Sequence, residues 1–166
     1  VLWSVVEKTA LADAEVEYED HTSNTIYVKF KVIKSLIDDL EGSNILIWTT
    51  TPWTIPGNRA LAYGKDLEYI LIEIIEVNEK SLAKVNDKII IAKELYTQVT
   101  SEIGIIKANT LRSFLGNELE GTECSHPFKK LGYDFNVKAL EGDFVNLEQG
   151  TGIVHIAPGH GADDYN

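Results

Sequence analysis

Arginine occurs twice in this chain, at Arg59 and Arg112, cysteine once, at Cys124, and methionine not at all. Each scarcity narrows the function. The formal net charge is −11 over 166 residues. Phosphate contacts need Lys and Arg, so this balance argues against a free-standing nucleic-acid binder. Any RNA contact made by this chain is expected to be small and local. A single thiol forms no intramolecular disulfide and no thiolate metal site, which fits a reducing, cytoplasmic setting. No apolar run approaches membrane-spanning length and no signal-peptide pattern opens the chain, so no membrane partner is expected. Neither a phosphate loop with Lys-Ser or Lys-Thr nor a Gly-x-Gly-x-x-Gly pattern occurs, so ATP and dinucleotides are not expected ligands. The missing methionine, even at position 1, and a start inside an apparent element (Val1-Leu2-Trp3) read as an excised piece of a longer protein.

What remains is enough for one domain, residues 1–166, with a real core. Ser4 with Glu7 has the spacing of a capping box, which predicts a helix through about Ala14. Ile26, Val28, Phe30 and Val32 alternate with Tyr27, Lys29 and Lys31, as in a strand buried on one face. Asn44 to Thr50 and Glu68 to Val77 read as well-buried, isoleucine-rich strands. Asn78 to Asp87 is a charged excursion, followed by a strand from Lys88 to Ala92. Leu95, Val99 and Ile103 have helical spacing, and Gly104 ends that segment. A strand is expected from Ile105 to Phe114 and a loop from Gly116 to Pro127. Phe135 to Leu140, Asp143 to Leu147 and Gly152 to Ile156 read as short strands. The fold class expected is mixed α/β, mainly β, with a β-barrel core and short peripheral helices.

The most informative stretch is Thr49-Thr50-Thr51-Pro52-Trp53-Thr54-Ile55-Pro56-Gly57-Asn58. The apolar run Ile45-Leu46-Ile47-Trp48 feeds into it. Pro52 and Pro56 fix φ and restrain the residues before them to extended geometry. The expected result is a stiff loop presenting neutral hydroxyls, suited to a polar organic ligand and poorly suited to a metal. The same residues also fit a plain Thr-rich turn at a strand end.

A second constellation runs from Gly150 to Tyr165. The strand places His155 on the face of Ile153. Pro158, Gly159 and Gly161 force a loop, and Asp163 and Asp164 fall where a helix can start and where its dipole favours carboxylates. His155 is either a hydrogen-bonded core histidine or a pocket wall. Asp164 is either a helix cap or the partner of a ligand cation. A metal-dependent hydrolase using His155, His160, Asp163 and Asp164 is an alternative, although the spacing matches no familiar zinc motif. Cys124 and His126 read as structural, and His160 as part of the loop.

Together, Trp48-Thr49-Thr50-Thr51-Pro52-Trp53-Thr54 with Asn58, and Gly150-Thr151-Gly152-Ile153-Val154-His155 with Ala157-Pro158-Gly159-His160-Gly161, resemble the editing (CP1) domain of isoleucyl-tRNA synthetase. The likeness covers essentially the whole chain, including Glu15-Val16-Glu17-Tyr18. Thr51 and Trp53 favour the isoleucyl type over the valyl and leucyl types, where the stretch resembles Thr-Thr-Arg-Pro. Gly57 stands where alanine is usual, and Ile156 where threonine is usual.

The resemblance implies a β-barrel with peripheral helices that hydrolyses valine misattached to isoleucine tRNA. It also admits pre-transfer editing of valyl-adenylate. It implies no metal or cofactor in this domain, the parent synthetase using ATP and magnesium. The implied partners are the 3′ end of isoleucine tRNA and the rest of the synthetase chain. On the same ground, catalysis would fall to Thr51, Thr54, Asn58, His155 and Asp164. Substrate binding would fall to Thr49, Thr50, Thr51, Trp53, Thr54, His155 and Asp164. Asp164 would hold the α-ammonium, His155 would limit the pocket, and Trp53 would pack beside it. Competing readings are a valyl or leucyl editing type and a module that docks the tRNA end without catalysis.

Overall fold

The computed structural model describes residues 1–19, 22 and 24–165, without the side chains of Ala162 and Asp163. The chain opens with a small hairpin, β1 (Trp3–Ser4) and β2 (Thr9–Ala10), in place of the expected helix. The Ser4–Glu7 side-chain contact does form, and the Glu7 amide donates to Ser4 Oγ at 3.1 Å. That contact closes a turn here. Lys8 takes a positive φ of 58°, which no continuing helix tolerates, and the chain doubles back.

A nine-stranded sheet forms the rest. Its strands are β3 (Ile26–Lys34), β4 (Asn44–Thr49), β5 (Ala60–Tyr63), β6 (Glu68–Val77), β7 (Lys88–Ala92), β8 (Ile105–Leu115), β9 (Glu123–Ser125), β10 (Asn136–Glu141) and β11 (Ile153–Ile156). The spatial order is β11-β5-β10-β9-β3-β4-β7-β6-β8. Pairing is antiparallel except for β5 with β10 and β4 with β7. Helix α1 (Tyr96–Glu102) buries Val99, and Gly104 ends the segment at φ 76°. The core is dominated by Phe30, Ile45, Ile47, Leu61, Leu71, Ile72 and Ile90, all buried.

The sheet is not a closed barrel. It curls far enough to lay β11 against β4, with Gly150 beside Trp48. Thr151, two residues before β11, also reaches β7, where the Ala92 amide donates to the Thr151 carbonyl at 2.8 Å. The curl thus meets the middle of the sheet. Strands β6 and β8 continue past the meeting point, and β8 keeps an open edge among the described residues. Asp143 to Leu147 is not a strand either. Its polar groups are spent on turns, with Val145 donating to the Gly142 carbonyl and Glu148 to the Asn146 side chain. Two short strands lay within stretches without a strand assignment, β9 inside the expected Gly116–Pro127 loop and the four-residue β5.

One glycine holds the site-bearing strand in place. Gly152 has φ 74°, and a Cβ there would lie 2.4 Å from the Ala92 Cβ. Its carbonyl accepts the buried Tyr69 hydroxyl at 2.7 Å. Gly152→Ala combines left-handed strain with a backbone-level clash, and should cost about 2–4 kcal/mol. A thermal melt reads this directly, and an unchanged midpoint would mean β11 is not pinned at Gly152.

Candidate functional site: a threonine-lined cavity

The strand β4 ends at Thr49, and the chain then coils. Rather than staying extended before Pro56, Pro52–Gly57 forms a 3-10 helix. The two prolines lack an N–H, and the turns close on the residues that have one. Thr54 donates to the Thr51 carbonyl and Asn58 to the Ile55 carbonyl, each at 3.0 Å. The loop is anchored from below by His126, whose Nε2 donates to the Ile55 carbonyl at 3.1 Å while its Nδ1 accepts the Phe128 amide. Packing against Phe30, Phe128, Tyr133 and Phe135 encloses that imidazole. His126 is therefore structural, as its position in the sequence suggested. Cys124 is buried, and desolvation pushes its thiol up to about 12, which removes any nucleophilic role.

Above this loop lies a cavity of about 220 Å³, lined by Trp48, Thr49, Thr50, Thr51, Thr54, Val154, His155, Ala157, His160 and Asp164. The two constellations, about a hundred residues apart in sequence, form one site. The threonines are linked to one another. Thr49 Oγ1 accepts the Thr51 amide at 3.0 Å and lies 3.2 Å from Thr51 Oγ1. Thr54 Oγ1 donates to the Thr51 carbonyl at 2.8 Å and sits 2.7 Å from His155 Nε2. The exposed Thr50 hydroxyl makes no hydrogen bond with the described residues, so it is free to meet a ligand.

Asp164 lies in the short helix α2 (Ala162–Tyr165). Its Oδ2 accepts the Ala157 amide at 2.8 Å, so one oxygen holds the loop while the group faces the cavity. Gly57 bears on His160: a Cβ there would come within 3.1 Å of the His160 ring. A methyl at Gly57 would require the His160 ring to give by a few tenths of an ångström.

Two expected site residues lie elsewhere. Trp53 is 66% exposed and does not line the cavity, so it is not a wall of this site. Trp48, the preceding strand's tryptophan, takes that place. Asn58 is fully buried behind His155, out of reach of a ligand. Its Nδ2 lies 3.1 Å from His155 Nδ1. The continuous apolar run of β4 hid Trp48, since such a run does not reveal which face meets a cavity. The side chain of Asp163, part of the metal alternative, is outside the described residues. Among those described, no three His, Cys, Asp or Glu side chains come together as a metal cage.

Burial lowers the basicity of His155 more than the nearby Asp164 carboxylate raises it. Burial likewise lowers that of His126. Unfolded histidines take up protons near pH 6.5, whereas these two stay neutral in the fold until lower pH. Their contribution to stability is thus fully present above about pH 6.5 and declines as pH falls below it, through their lowered native values. Denaturant midpoints should drop between about pH 7 and about pH 5.5, before carboxylates titrate. A flat profile over that interval would contradict the neutral, buried state of both rings.

No family model matches the chain. Solved structures with the same fold include the editing domain of the P. knowlesi cytosolic leucyl-tRNA synthetase. It has TM-score 0.60 at 15% identity, covering 85% of this chain and 59% of that one. The P. falciparum counterpart gives TM-score 0.57 at 16% identity over 74% of this chain and 44% of that one. The fold is therefore that of a synthetase editing domain. Over all 166 residues the chain is 52% identical to the isoleucine–tRNA ligase of Pelagibacter ubique. It is 48% identical to that of Gluconobacter oxydans over 99% of its length. It belongs to the isoleucyl-tRNA synthetase family as an editing-domain segment, spanning 18% and 17% of those two relatives.

Proposed function

We propose that this chain hydrolyses the ester of valine misattached to isoleucine tRNA, within a longer isoleucine–tRNA ligase. The observation that carries the reading is one cavity uniting a carboxylate, Asp164, an imidazole wall, His155, and the hydroxyls of Thr49, Thr50, Thr51 and Thr54. The need for such a site is physical. A hydrophobic pocket separates substrates differing by one methylene by only about 1–3 kcal/mol, a limit for which isoleucyl-tRNA synthetase is itself the standing example. A second, smaller pocket that admits valine and rejects isoleucine supplies the remaining accuracy.

In this reading Asp164 holds the α-ammonium through a charge-assisted bond. His155 closes the side-chain end against the extra methyl of isoleucine. A water attacks the ester carbonyl carbon, the bond to the ribose oxygen breaks, and valine and a free tRNA hydroxyl leave. The proton lost by water ends on that ribose oxygen. Hydroxyl donors of the threonine loop face the developing oxyanion, so positioning and electrostatics carry the rate without a metal. The 3′ adenosine of the tRNA and, for pre-transfer editing, valyl-adenylate are the proposed ligands. The acidic chain leaves most tRNA contacts to the rest of the synthetase.

Binding tests the size and ammonium selectivity of the cavity, and turnover of valyl-tRNA separates the reading from a module that only docks the tRNA end. A hydrolysis-resistant amide analogue of valyl-adenosine should bind the chain, and the isoleucyl analogue and a valyl analogue lacking the α-amine should bind at least about tenfold more weakly. Equal binding of all three would overturn the assignment.

A further inference from the structure

The buried Asn58 has a hydrogen-bond pattern that leaves one arrangement of protons. Its Nδ2 carries two hydrogens and meets two partners, the Ala60 carbonyl oxygen at 2.9 Å and His155 Nδ1 at 3.1 Å. Among the described residues its Oδ1 is buried without a partner. The orientation of a side-chain amide is read from its neighbours. Turning this one over would set Oδ1 against the Ala60 carbonyl oxygen, two acceptors face to face. Nδ2 therefore points at His155, and since it only donates, Nδ1 must accept.

A neutral imidazole that accepts on Nδ1 carries its proton on Nε2. That nitrogen lies 2.7 Å from Thr54 Oγ1, whose own proton goes to the Thr51 carbonyl at 2.8 Å. The donor chain runs from Asn58 through His155 and Thr54 to the Thr51 carbonyl. We infer that Asn58 is a positioning residue that holds His155 as a neutral imidazole protonated on Nε2, leaving it no lone pair with which to deprotonate the attacking water. The tautomer is a property of the fold, and only its consequence for hydrolysis rests on the function proposed above.

The charged groups around the ring do not undo this. The Asp164 carboxylate on the cavity side favours an imidazolium, and His160 and His126 disfavour it. Arg59 donates to the Asn58 carbonyl at 2.7 Å and adds positive charge behind the amide. Of the strands against β11, β4 has no ionisable side chain, and Tyr63 of β5 pairs with Ile153 rather than with His155. A proton on Nδ1 would meet the hydrogens of the Asn58 amide directly. The buried Oδ1, unpartnered among the described residues, is the cost of the arrangement, since an unsatisfied buried acceptor is destabilising.

The test is nitrogen NMR of the chain with labelled histidine imidazoles, His155 being assigned by the loss of its signals in His155→Gln. The expected spectrum has His155 protonated on Nε2 and bare on Nδ1, unchanged through pH 6.5, where an ordinary histidine titrates. A proton on Nδ1, or a doubly protonated ring at neutral pH, would overturn the inference. Asn58→Asp supplies the second readout. Its carboxylate accepts from Nδ1, which inverts the tautomer and favours the imidazolium. Valyl-tRNA hydrolysis by that variant should gain an ionisation near neutrality that the wild-type profile lacks. A wild-type pH profile in a folded Asn58→Asp protein would overturn the positioning role. The expected wild-type spectrum with no hydrolysis even within the full-length ligase would overturn the deacylase reading and leave the tautomer standing.

Discussion

Asp164→Asn should lower valyl-tRNA hydrolysis by roughly 10- to 150-fold while leaving the fold intact. The substitution is chosen because the two jobs of Asp164 separate in it. The asparagine carbonyl can still accept the Ala157 amide, now bonded to Oδ2 at 2.8 Å, so the Ala157–Asp164 loop keeps its closure. What disappears is the charge facing the cavity. A hydrogen bond to a charged group is worth about 1.5–3 kcal/mol, and each 1.4 kcal/mol is a factor of ten in rate. Asp164→Ala removes the loop closure as well and should be worse in both activity and stability. Single-turnover deacylation, read beside a thermal melt, separates the two effects. Activity within about threefold of wild type in the asparagine variant would remove the ammonium contact from the account.

His155→Ala should alter selectivity more than rate. Removing the imidazole deletes the wall that excludes a longer side chain. The threshold being lost is the one-methylene difference, about 1–3 kcal/mol, so the isoleucyl-to-valyl rate ratio should rise by roughly 10- to 200-fold. The variant also leaves Thr54 Oγ1 and Asn58 Nδ2 without the partner each now has. A moderate fall in valyl hydrolysis and in stability should accompany the change. Rates on correctly and wrongly charged isoleucine tRNA give the ratio directly. If the ratio stayed at its wild-type value, the size gate would have to lie in another residue, Trp48 being next on the cavity wall.

Both variants act on residues legible in the sequence, and the reason is chemical. A run of hydroxyls behind a buried strand, and a His–Asp pair around glycine turns, are few enough in kind to narrow the function. Strand β6 matched its expected bounds because its isoleucine run is long and its flanks are charged. The N-terminal hairpin was not legible, because the Ser4–Glu7 contact is the same whether a helix or a turn follows. Strands β5 and β9 are short, and their pairing partners lie far away in sequence. Closure of the sheet is likewise a matter of long-range order, and strand count alone does not determine it. The family resemblance implied that Asn58 and Trp53, on the same loop as the threonines, would lie at the ligand. The 3-10 coil turns Trp53 out to solvent and places Asn58 beneath His155.

The central claim, that one threonine-lined cavity edits by size and ammonium recognition without a metal, is tested most directly by hydrolysis of isoleucine tRNA charged with valine or isoleucine, with and without chelator. The account expects valine to be released, isoleucine to be retained, and chelator to change neither. Release of both amino acids at similar rates, or loss of valine release on chelation, would contradict it.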